Sequence, residues 1–67
     1  MNINESKAEI ITLYKLLTKE QVKLHEVMFY NEYFLDSNCI VIKYKVESII
    51  NFAYKIKEEC EKIIEGI

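Results

Sequence analysis

The sequence predicts an all-α protein, an antiparallel helical hairpin that assembles into a helical bundle. Three observations carry this. Apolar residues recur at Cys39, Ile42, Val46, Ile49, Ala53, Ile56, Cys60, Ile63 and Ile67. Their steps alternate three and four, the a/d spacing of a helix that buries one seam. A run with a similar rhythm precedes it, and between the two stands Asp36-Ser37-Asn38, residue types that bond to nearby backbone and favour turns.

Taken in order, Met1 to Asn4 is a frayed start, with Asn4 or Ser6 available as N-cap. Ile10, Tyr14 and Leu17 then repeat at helical spacing, widened by Ile11 and Leu13. The rhythm continues through Gln21, Leu24, Met28, Asn31 and Leu35, so one helix over about residues 5–35 is expected. Thr18-Lys19-Glu20-Gln21 competes with that continuity. A threonine followed three residues later by glutamine reads as a capping box, which would break the first arm near Thr18. The turn at Asp36-Ser37-Asn38 comes next, with Ser37 or Asn38 able to cap the second arm. Along that arm Lys43, Lys45, Glu47, Lys55, Lys57, Glu58, Glu61 and Lys62 lie off the seam, where water reaches them.

One stretch supports a rival fold. Val27–Leu35 and Cys39–Val46 are apolar at 13 of 17 positions, and Ile40, Ile42, Tyr44 and Val46 alternate as a half-buried strand would. An α-β-β-α chain with a β-hairpin over residues 30–46 is the alternative. Helix is favoured because Cys39, Ile42 and Val46 stay in phase with the pattern beyond them, and a lone two-stranded hairpin is marginal in water.

The 67 residues make a single domain, 1–67. A chain this short buries only about 60% of the surface its unfolded form exposes, so it needs outside support. Cys39 and Cys60, 21 residues apart on one helix, stand about 31 Å apart at a rise of about 1.5 Å per residue, far beyond disulfide reach. Unpaired cysteines, with no signal peptide and no long apolar run, imply a reducing cytoplasm and no membrane. Self-association, or binding to another protein, is then the expected support.

Composition excludes several function classes. All nine positive residues are lysine and the net charge is −2. Bidentate recognition of guanine or phosphate is mostly arginine work, and the charge gives no general attraction for nucleic acid. The one histidine, His25, has no second ligand at helical spacing, so no metal site is expected. Both cysteines fall on the seam as small hydrophobes. Ser6, Ser37 and Ser48 read as caps, and the sole glycine, Gly66, cannot build a phosphate loop. No catalytic residue, enzyme activity or cofactor is expected.

Association is the property that remains. Met28, Phe29, Tyr30, Tyr33, Phe34, Ile40, Val41 and Tyr44 crowd the turn end on every helical face, more than one neighbouring helix can cover. They form the expected oligomer or partner interface of a non-catalytic inhibitor or adaptor. The alternative is a nucleotide binder using Tyr30, Tyr33, Lys43 and Lys45, since tyrosine offers a stacking face and lysine a charge for phosphate. Leu17-Thr18-Lys19-Glu20 opening a helix, followed by a turn and a second apolar helix, resembles phage helical-hairpin proteins that sequester cyclic nucleotides. That resemblance implies a cyclic nucleotide held between protomers, and it transfers no site residue. The aromatic-rich, lysine-only composition also suits a phage or mobile element.

Overall fold

The computed structural model describes residues 3–30 and 35–66. Two helices make up the fold, α1 (Ile3–Phe29) and α2 (Asp36–Glu65), and they pack against each other as an antiparallel hairpin. The molecule is a rod with Cα extents of 50 × 14 × 10 Å. Neither helix contains proline or glycine, the two residues that most disfavour a helix interior. Among the described residues there is no strand.

The first arm is continuous. Thr18 does not cap a new helix, because its hydroxyl donates to the Tyr14 carbonyl 2.9 Å away, as Thr12 does to Ala8 at 3.0 Å. A hydroxyl satisfied by the preceding turn leaves the helix ladder intact. Thr18→Ala should therefore change stability by less than about 0.5 kcal/mol. Loss of a true N-cap would cost about 1 kcal/mol, and urea denaturation separates the two outcomes. Asn4 and Ser6 are likewise not caps, since α1 already runs from Ile3.

The chain break lies earlier than expected. Asp36-Ser37-Asn38 is the first turn of α2, not the connection between the arms. Leu35 holds the N-cap position with extended backbone (φ −109°, ψ 167°). Its N–H donates to Asn38 Oδ1 at 2.8 Å and its carbonyl accepts from the Asn38 N–H at 2.9 Å. Asn38 thus ties down an otherwise orphan donor, and Asp36 sits where the helix dipole favours negative charge. The rival β-hairpin is overturned, because residues 36–46 are helical throughout; its other half, over 31–34, lies outside the described residues. Seven alternating residues are too few to outweigh a helical period that continues for several turns beyond.

The packed rows keep every second expected position and shift by one residue at the positions between. In α1 the covered positions are Ser6, Ile10, Leu13, Leu17, Glu20, Leu24 and Val27, an unbroken heptad row. Tyr14, Gln21 and Met28, expected on the seam, are exposed, and Asn31 is outside the described residues. In α2, Ile42, Ile49, Ile56 and Ile63 are covered as expected. Their companions are Asn38, Lys45, Phe52 and Glu59, while Cys39, Val46 and Ala53 are exposed and Ile67 is not described. Cys60 keeps partial cover. Leu13, at 6% exposure, is the single buried hydrophobic residue among those described, and Ser6 at 2% is the single buried polar one. Ser6 and Ser48 lie within helices and cap neither.

Candidate functional site

Two features of the hairpin offer chemistry: an ion pair across its middle and an aromatic cluster at its turn end. Glu20 on α1 and Lys45 on α2 both point into the seam, with Lys45 Nζ 3.1 Å from Glu20 Oε2. Only 18% of the Glu20 side chain and 27% of the Lys45 side chain remain exposed. Lys23 also approaches Glu20 Oε1 at 3.8 Å. Lys45, expected in water, is instead partly covered and paired across the seam with Glu20. Farther along, the Lys62 ammonium is raised above the usual lysine pKa, first by its hydrogen bond to Glu59 (2.9 Å) and then by that carboxylate's charge, with lesser attraction from Glu58 and Glu9. Glu9 belongs to the start of α1, which the antiparallel hairpin sets beside the end of α2.

At the opposite end, the imidazole of His25 lies 4.7 Å from the ring of Phe29, tilted by 39°, and 5.4 Å from the ring of Tyr30, edge to face. These separations and tilts suit aromatic pairs. The Tyr30 N–H closes the end of α1 by donating to the Glu26 carbonyl at 3.0 Å. His25 was not among the residues singled out for the turn-end surface. Phe29, one helical turn on, was the signal that could have placed it there.

The expected interface residues divide as follows. Met28, Phe29, Tyr30, Ile40, Val41 and Tyr44 are all exposed, with Phe29 at 66% and Tyr30 at 74%. Tyr33 and Phe34 lie outside the described residues. Of the alternative nucleotide-binding set, Tyr30 is exposed and Lys43 and Lys45 point in different directions. Lys43 points outward, its ammonium 5.9 Å from the ring of the adjacent Tyr44, whereas Lys45 turns the other way to Glu20. Residues two apart on a helix face different directions, so the two ammonium groups do not form one phosphate site.

Among the described residues, no group of three or more His, Cys, Asp or Glu side chains gathers to hold a metal. Cys39 and Cys60 are free thiols. No described helix is long and apolar enough to cross a membrane. No protein family, curated protein or solved structure matches this chain.

Proposed function

We propose that this protein is a non-catalytic, self-associating helical module that acts as an inhibitor or adaptor by binding another protein. One observation supports the self-association: the hairpin exposes more surface than a compact monomer of its mass. A compact protein of 8.0 kDa should expose about 4,450 Å² by the usual mass scaling, and this hairpin exposes 5450 Å². The surplus, about 1,000 Å², is similar to what each partner contributes to a stable interface. Isoleucine, valine, methionine, phenylalanine and tyrosine side chains are exposed along both arms. The turn-end group of Met28, Phe29, Tyr30, Ile40, Val41 and Tyr44 is the surface offered to the foreign partner. Large exposed aromatics at one end of a rigid rod are the residue types that anchor protein interfaces.

Folding linked to assembly makes the thermal midpoint depend on protein concentration. The midpoint should fall over a hundredfold dilution series, and sedimentation should report at least a dimer at micromolar concentration. A monomer with an invariant midpoint would defeat the self-association reading.

A further inference from the structure

We propose that two copies pair along the outer flank of α2, antiparallel, about a two-fold axis at the level of Phe52. The inference rests on the self-association reading above and specifies which face serves it. Cys39, Val46, Ile50, Ala53, Cys60 and Ile64 form a second apolar row on α2, beside the one that meets α1. Its members step by seven, four, three, seven and four, so they make a seam of their own. Ile50 is 51% exposed and Ile64 66%. In an antiparallel pair, positions just after the packed rows lie on one side of both arms. Tyr14 follows Leu13 as Ala53 follows Phe52, so the exposed Tyr14 and Ile11 extend the same face. Glu9 and Lys62 each stand just before a packed isoleucine, Ile10 and Ile63, so the flank that they mark lies opposite.

Charge decides the occupant and its direction. Two lysines, Lys43 and Lys57, interrupt the row, and two glutamates, Glu47 and Glu61, border it; all four are exposed. Lys57 Nζ lies 3.7 Å from Glu61 Oε1, so these groups share one flank. Lys43 and Glu61 each stand nine residues from Phe52, on opposite sides, and Glu47 and Lys57 each stand five. A second copy laid antiparallel about Phe52 therefore brings Lys43 level with Glu61 of the partner subunit and Lys57 level with Glu47 of the partner subunit. The two-fold repeats both pairs, as an isologous interface requires. A parallel copy in register would set Lys43 and Lys57 against their own duplicates, and like charges so placed repel. Antiparallel helix dipoles add to the preference. The surplus surface of the hairpin is enough for such an interface.

Charge exchange tests this. Lys43→Glu should raise the dimer dissociation constant by about tenfold or more, through like charges at two symmetry-related sites. Adding Glu61→Lys to the same chain should restore it. The two positions are 18 residues apart, about 27 Å along one helix, so no contact within a chain can produce the rescue. A Lys43→Glu protein that dimerises like wild type, or one that Glu61→Lys fails to restore, overturns the proposed face while leaving self-association standing. A monomeric wild type overturns both. Should Lys43→Glu not fold, Ala53→Cys in a chain with Cys39→Ser and Cys60→Ser decides. It should oxidise to a linked dimer at concentrations where Lys15→Cys in the same background does not. Equal linking at both positions, or none at Ala53→Cys, also counts against the seam.

Discussion

Leu13→Ala is expected to destabilise the hairpin by about 2–5 kcal/mol, the usual range when a buried leucine is cut to alanine. Leu13 is the best-buried apolar side chain among the described residues. Its cavity would open in a core with few other contributors, in a chain whose total stability is small for its size. Tyr14→Ala, at the neighbouring position, removes a larger side chain that is 60% exposed. Within a single hairpin that change should move stability by less than about 0.5 kcal/mol. Urea denaturation of the two variants, at a concentration low enough to dissociate any assembly, checks which row of α1 is packed. Equal losses at the two positions would place the helix in a different rotation.

The second large effect concerns the ion pair in the seam. Lys45→Met leaves the Glu20 carboxylate largely covered and without its cross-helix partner. We expect a loss of about 1–3 kcal/mol, the cost of a polar group whose partner is removed. That is below the range for a deeply buried charge, because Glu20 keeps some exposure and Lys23 lies 3.8 Å away. Glu20→Leu combined with Lys45→Met should recover wild-type stability or exceed it, since an apolar pair of similar volume avoids desolvating two charges. The four proteins form a double-mutant cycle, and an interaction energy near zero would mean that the pair does not set the register. The same double substitution should loosen specificity. With Glu20 and Lys45 gone, the seam loses the one ion pair described between the arms, and with it a charged marker of their register.

Much of the fold was legible in the sequence. Period, helix content and the existence of two arms follow from the spacing of apolar residues, because a helix returns to the same side every 3.6 residues whatever it packs against. The exposed turn-end aromatics were legible too, since Met28, Phe29 and Tyr30 are consecutive and no single neighbour can cover three successive helical directions. The position of the break was misjudged. Asp, Ser and Asn serve equally in a turn and in the first turn of a helix, and only the bond between Leu35 N–H and Asn38 Oδ1 separates those uses.

The rotation of each helix about its own axis was decided only by the tertiary structure. Both arms carry two neighbouring rows with the same three-four rhythm: Leu13 beside Tyr14 in α1, and Phe52 beside Ala53 in α2. Periodicity is identical in the two rows, so no count of apolar spacing can choose between them. The choice falls to groups distant in sequence. Glu20 and Lys45 neutralise each other only when both face the seam, and Phe52 gains more than Ala53 from being covered because it removes more apolar area from water. A partial turn of each arm, which shifts every second seam position by one residue, satisfies both demands. It also leaves the regular row of Cys39, Val46 and Ala53 outside, on the flank where we place a second copy.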